Sequence, residues 1–276
     1  LDVPYEIDDD AFWQEFRRRV KDANPDAYIV GEIWRESQRW LQGDQFDAVM
    51  NYIFTRAATA FFGAKTLSNL DPGGGYKRLK PLAAQAFAAE IDRMMGLYDW
   101  AITSVQLNLL GSHDTARFLT MVSEDKSALR LATLFQMTMP GAPSVYYGDE
   151  LGLTGGYEPA SRGAMPWVES AWDRDLRGYF QRAIALRKEN VALRRGTYRV
   201  ALAQGTQYAF VREHEDQRLL VAFNTAQDEQ QMSIPLDSAA GRPRSIFGEP
   251  GTLTVDEGAV TLIAPGRSGI VLALDA

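Results

Sequence analysis

Over its first two-thirds the chain alternates short apolar runs with amphipathic stretches. Three of the runs end on an acid: Leu1-Asp2-Val3, Val30-Gly31-Glu32-Ile33-Trp34 and Leu109-Leu110-Gly111-Ser112-His113-Asp114-Thr115. The alternation is the βα rhythm of a parallel sheet. Strands are expected at 1–3, 28–31, 46–50, 104–109 and 143–147, and helices at about 9–23, 52–62, 81–98, 126–137 and 175–189. The first helix starts beside Asp8, Asp9 and Asp10, which suit an N-cap and the helix dipole. When βα units close into a barrel, strand ends converge on one rim and the helices stay outside, so acids at strand ends share that rim.

The pattern changes near Leu193. Short β-rich runs follow at 197–201, 207–213, 218–224, 230–234, 259–263 and 269–274, separated by turn-forming Gly, Pro, Asn and Asp. The fold class is α/β: a partial (β/α)8 TIM barrel over 1–192, then an all-β C-terminal sandwich domain over 193–276. A length of 276 residues with 46% hydrophobic and 24% charged residues can bury a sizeable core. A net charge of −7 with no basic stripe argues against nucleic acid. No apolar run reaches the roughly 18 residues that span a bilayer, which argues against a membrane role. The chain has no cysteine, so disulfides, thiolate nucleophiles and cysteine–zinc sites are excluded. It opens on Leu1 in a strand-like run, so it is expected to be part of a longer protein, with any targeting segment upstream.

Taken singly, Asp2 reads as a cap or a surface acid, and His113-Asp114 as a structural pair. Glu32 is more specific, because a charge directly after the apolar run Tyr28-Ile29-Val30 is avoided unless used. Trp34 beside it would supply an apolar wall that raises a carboxyl pKa. All three acids in order at strand ends suit glycosidic cleavage, which needs an anionic nucleophile, a protonated acid and stabilisation of an oxocarbenium-like transition state. Other chemistry fails. His113 and His214 are the two histidines, too few for a histidine-rich metal site, and His214 falls at a hairpin in the β-rich tail. Asp71-Pro72-Gly73-Gly74-Gly75 lacks the Gly-Lys-Ser/Thr ending of a phosphate loop, and there is no Gly-x-Ser-x-Gly elbow. Trp34, Tyr147, Tyr157 and Trp167 could stack on sugar rings or pack in a core.

The motifs resemble the α-amylase family of glycoside hydrolases. Leu1-Asp2-Val3 is similar to the end of its nucleophile motif, Gly31-Glu32-Ile33-Trp34 to its acid/base motif, and Gly111-Ser112-His113-Asp114-Thr115 to the motif of its third acid. The runs Phe46-Asp47-Ala48-Val49-Met50-Asn51-Tyr52 and Pro140 to Glu150, continuing to Met165-Pro166-Trp167, resemble the branch of cyclomaltodextrinases, neopullulanases and maltogenic amylases. The resemblance covers residues 1 to about 192 and makes the barrel portion about strands 4–8. It implies Asp2 as nucleophile, Glu32 as acid/base and Asp114 as the acid that binds sugar hydroxyls, with His113, Trp34, Glu6, Arg117, Tyr157 and Trp167 as substrate contacts. Retention follows, with an Asp2–Glu32 carboxyl separation of roughly 5 to 5.5 Å, against more than about 6.5 Å for inversion.

The chain also departs from the family. The Arg two residues before the nucleophile, the first three βα units and any N-terminal module lie outside it. Ala116 stands where relatives often carry an acid, and Arg162-Gly163-Ala164 replaces a more basic stretch. The expected function is a retaining hydrolase of α-1,4-glucosidic bonds in maltooligosaccharides, cyclodextrins or related α-glucans, cytoplasmic by the habit of that branch. No cofactor is expected, calcium being left to the missing N-terminal region. Partners are an oligosaccharide and the missing barrel half, as a separate chain or replaced by self-association. Alone, the chain should have little activity. A non-catalytic partner subunit and a transglycosylase stay open as alternatives.

Overall fold

The computed structural model describes residues 1–70, 78–236, 241–256 and 258–274. The glycine-rich run at 71–75 lies outside the described residues. Four parallel strands form one sheet in the order β1 (Val30–Gly31), β2 (Ala48–Asn51), β3 (Leu107–Leu109), β4 (Ala142–Ser144). Their register pairs Gly31 with Val49, Asn51 with Asn108 and Leu109 with Ser144. Residues 1–3, expected as a strand, have no strand assignment. Val3 turns left-handed at φ 31° into a 3-10 turn at Pro4–Glu6. The Leu1 ammonium nonetheless donates to Val30 O and Leu1 O accepts from Glu32 N, both at 2.9 Å, so this end runs alongside β1.

Helices α1 (Asp10–Ala23), α2 (Tyr52–Phe62), α3 (Ala84–Met95), α6 (Lys126–Thr138) and α7 (Arg174–Glu189) cover the sheet. Short turns α4 (Trp100–Thr103), α5 (Phe118–Met121) and α8 (Val191–Arg195) lie between or after them. Four of the long helices, all but α3, start where a side-chain oxygen takes an orphan N–H. Asp9 accepts from Phe12 N, Asn51 from Phe54 N, Asp125 from Ala128 N and Asp173 from Leu176 N. None of the described helices is long and apolar enough to cross a membrane.

From Thr197 on the chain is antiparallel. Strands β5 (Thr197–Gln204), β6 (Gln207–His214), β7 (Gln217–Asn224), β8 (Gln230–Pro235), β9 (Arg244–Phe247), β10 (Leu253–Asp256), β11 (Ala259–Ala264) and β12 (Ser268–Ala273) make two sheets, β5-β6-β7-β12-β9 and β10-β11-β8. Strand alternation sorts the two faces of the larger sheet. Val211, Leu220, Ala222 and Leu272 pack against Met232, Ile234 and Val260 of the smaller sheet. Tyr208, Phe210, Leu219 and Phe223 pack against Phe61, Phe87 and Phe135 of the helices. The second set joins the two kinds of layer in one aromatic core.

Two buried guanidiniums pin that junction at the C-terminal end of α6, where helix carbonyls lack partners. Arg187 Nη1 donates to Met137 O, Met139 O and Leu193 O at 2.9 Å each, and its Nη2 to Gly141 O. Arg212 bonds Thr138 O, Thr197 O and Gly196 O. Neither has a carboxylate partner among the described residues. Burial pulls Arg187 down to about 10 and Arg212 to about 9, so both keep their charge at neutral pH. Arg212→Met should cost about 3 kcal/mol in urea unfolding, since it strands three carbonyls in the core; a loss under about 0.5 kcal/mol would show the pin to be idle.

Candidate active site

Three acids meet on the rim that the strand ends share. Glu32 follows β1 directly and is buried, with 6% of its surface exposed. Close packing beneath it depends on Gly31, where a Cβ would lie 3.0 Å from the Phe46 ring and 3.2 Å from Pro4. Asp114 follows β3 through a tight turn in which Ser112 N bonds Thr115 Oγ1 and Asp114 N bonds Ser112 Oγ. Asp2 is exposed at the start of the chain, held by the backbone bonds between Leu1 and β1. Both Asp2 and Asp114 are near enough to act on the charge of the Glu32 carboxyl, and oxygens of Asp114 and Glu32 lie within 4.8 Å of each other.

Burial and these neighbours together set the state of Glu32. Burial, first, and the two neighbouring carboxyls, second, raise it from an ordinary 4.5 to about 7. Its Oε1 is buried without a donor among the described residues. A proton held on Glu32 relieves the like-charge repulsion from its neighbours.

Trp34 is half-buried and stacks on Tyr52 with ring centroids 3.7 Å apart and planes at 6°, so one indole face is covered. The Tyr52 hydroxyl meets Ser112 Oγ at 3.0 Å and contacts Glu32; burial raises its pKa. His113 is exposed, its Nε2 3.3 Å from Asp114 Oδ1. Arg162 Nη2 donates to Asp114 Oδ1 at 2.9 Å and its Nε to His113 O at 3.2 Å, while Ser161 Oγ holds the same carbonyl at 2.8 Å. Glu158 pairs with Arg162 and accepts from the Tyr157 hydroxyl at 3.2 Å. Tyr157 thus connects to the acids through two charged side chains. Trp167 stands 80% exposed on the same long loop. Glu6 is exposed on the 3-10 turn, and its carboxylate makes no hydrogen bond or ion pair among the described residues.

Arg117 is corrected by the structure. Expected as a sugar contact, it is 0% exposed, pairs with Asp149 Oδ1 at 2.9 Å, bonds Tyr147 O at 2.8 Å and lies over the Tyr146 and Tyr147 rings. It holds the loop after β4 and is closed off from a substrate. Tyr52, Ser112, Ser161 and Arg162 were not expected at the site. Tyr52 had a signal, an aromatic hydroxyl directly after a strand; Arg162 had one in its i,i+4 spacing from Glu158. Ligand atoms of Glu32, His113 and Asp114 lie within 4.8 Å of one another, near enough to share a cation. A guanidinium already on Asp114 and a proton kept by Glu32 near pH 7 both oppose one.

Comparison with known proteins agrees with this arrangement. The family model for the alpha amylase catalytic domain matches residues 4–176. A cyclomaltodextrinase from a Bacillus species is 44% identical over 226 residues, covering 81% of this chain and 38% of the relative. Neopullulanase 2 of Thermoactinomyces vulgaris is 41% identical over 88% of this chain and 39% of its own length. The solved debranching enzyme of Nostoc punctiforme in its native form superposes with a TM-score of 0.92 at 39% identity, covering 99% of this chain and 57% of its own. The chain therefore spans well under half the length of those two curated relatives. With more than half of its residues matched and the three acids of the motif set on one rim, the chain belongs to the alpha-amylase catalytic domain family.

Proposed function

We propose that these residues form the catalytic half of a retaining glycoside hydrolase acting on α-1,4-glucosidic bonds of maltooligosaccharides, cyclodextrins or related α-glucans. One observation carries the reading: a buried carboxyl, Glu32, raised to about 7 between two other carboxyls. Asp2 as a carboxylate attacks the anomeric carbon while the Glu32 proton passes to the departing glycosidic oxygen. Water then enters, gives its proton to Glu32 and releases the sugar from Asp2, restoring both groups. Asp114, oriented by Arg162, accepts hydrogen bonds from sugar hydroxyls, and His113 donates beside it. Relatives named cyclomaltodextrinase and neopullulanase support cyclomaltodextrins and pullulan-type α-glucans within that substrate class. The remaining barrel strands are proposed to come from a longer polypeptide or a second chain; the β4 edge carries no partner strand among the described residues. A cytoplasmic setting is proposed because an intracellular maltogenic amylase of Bacillus subtilis is among the relatives, at 34% identity.

The acid step needs Glu32 protonated, so turnover of maltohexaose by the complete barrel should fall as pH rises through about 7. Glu32→Gln should lower turnover by about 10²- to 10⁴-fold while maltohexaose still binds, and the first product seen by NMR should be the α-anomer. A β-anomer, or full turnover by Glu32→Gln, defeats the assignment.

A stability test needs no turnover. With its folded-state pKa raised, Glu32 binds more protons folded than unfolded between pH 4.5 and about 7. It therefore removes on the order of 3 kcal/mol of stability as pH rises through that window. Glu32→Gln should be more stable than the parent in urea at pH 8 and close to it at pH 4.5. Equal stability at both pH values would mean that the carboxyl is not desolvated.

A further inference from the structure

Away from the acids, a cleft of about 1210 Å³ lies between α7, the middle of α6 and the loops that flank β9 and β12. Its walls carry Arg130, Arg174, Arg182, Arg244 and Arg267 against two acids, Asp175 and Glu189. A local excess of arginine is unexpected on a chain of net charge −7. Arg267 is committed to Asp125 at 2.9 Å, and Arg174 reaches Glu169 at 3.2 Å on the exposed side. Arg130, Arg182 and Arg244 have no carboxylate at ion-pair distance among the described residues. Asp173, which feels Arg130, is already held by Lys126 at 2.7 Å.

Arg130 gives a second, independent sign. Its Nε is buried with no hydrogen-bond acceptor, a cost that native interiors avoid. Arg130 and Arg182 flank a single ring, Tyr179, at 5.8 and 5.9 Å, and Tyr179 meets Phe247 edge-on at 5.4 Å. Gly178 sits in the interior of α7, where glycine costs about 1 kcal/mol of helix propensity. A Cβ there would make only ordinary contact, 3.5 Å from the Arg182 guanidinium.

We propose that this cleft binds a phosphate-bearing small molecule. Guanidinium forks from α6, α7 and β9 would hold the phosphate, and the Tyr179–Phe247 pair would face its organic part. Guanidiniums match phosphate oxygens two at a time, and aromatic edges match sugar or base faces. A cleft of this size exceeds what inorganic phosphate fills. The proposal is independent of the catalytic reading, since no residue is shared.

Calorimetric titration of the full chain with glucose 1-phosphate and, separately, with inorganic pyrophosphate tests it. Saturable one-to-one binding is expected for at least one probe, weakened by added salt. Tighter binding of glucose 1-phosphate assigns the aromatic wall to an organic group; equal binding assigns the site to phosphate alone, and either upholds the anion site. Arg182→Gln should weaken the bound probe about tenfold or more, and Arg130→Gln likewise. Arg19→Gln, on exposed α1, should leave it unchanged. Arg182 is surface-exposed, so its variant keeps the test valid if Arg130→Gln fails to fold. No saturation with either probe up to about 10 mM, weaker than a typical millimolar site, overturns the proposal. So does an Arg182→Gln variant that binds as tightly as the parent.

Discussion

Everything on the rim rests on a layer of buried polar bonds beneath it. Parallel strands this short hold register weakly through their own ladders. Side chains supply what the ladders lack. Gln106 Oε1 accepts from Val49 N at 3.2 Å, Asn51 Nδ2 donates to Asn108 Oδ1 at 2.9 Å, and Asn108 Nδ2 donates to Pro140 O at 2.7 Å. Gln136 on α6 then bonds Asn108 O and Ser144 O, clamping β3 to β4. Arg187 takes Gly141 O at the entry to β4. Gly141 has φ +115°, and a Cβ there would lie 2.5 Å from Asn108 Nδ2, so the clamp requires glycine. A fully satisfied network of this kind fixes one arrangement more firmly than apolar packing alone.

The site built on that layer opposes stability. Two carboxyls beside a buried third repel it, and burial disfavours any charge left on Glu32. The fold meets this with a proton instead of a cation at Glu32 and with a cation at Asp114, supplied by Arg162.

The sequence made the acids legible because each follows an apolar run whose end must face a rim, and periodicity located α1, α2, α6 and α7 closely. Several features were not legible. Residues 1–3 read as a strand, yet Pro4 has no N–H for a ladder and the chain turns at Val3. The expected helix at 81–98 is shorter at both ends, starting at Ala84 and closing on Gly96. The expected strand at 104–109 starts late, at Leu107, since turn bonds from Val105 N to Ile102 O and Gln106 N to Thr103 O extend the coil of α4. β9 and β10 were missed, being four residues each with mixed exposure that leaves no alternation. Arg117 and Arg162 could not be told apart by type. One is buried under two tyrosines and the other reaches an acid, and only tertiary contacts separate them. The pins at Arg187 and Arg212 were invisible for the same reason, because an arginine on an amphipathic helix or strand normally reads as surface.

The protonation of Glu32 is the centre of this account, and it can be measured directly. Carboxyl carbons of ¹³C-labelled glutamate would be followed by NMR across pH 3 to 9, a range chosen to span the ordinary and the raised values, with Glu32→Gln assigning the resonance. The account predicts a midpoint near 7, well above the ordinary 4.5, with Asp2→Asn shifting it downward by removing one neighbouring carboxylate. A Glu32 midpoint at 4.5 would contradict it, leaving a buried carboxylate ionised at neutral pH and no acid positioned to protonate a leaving sugar.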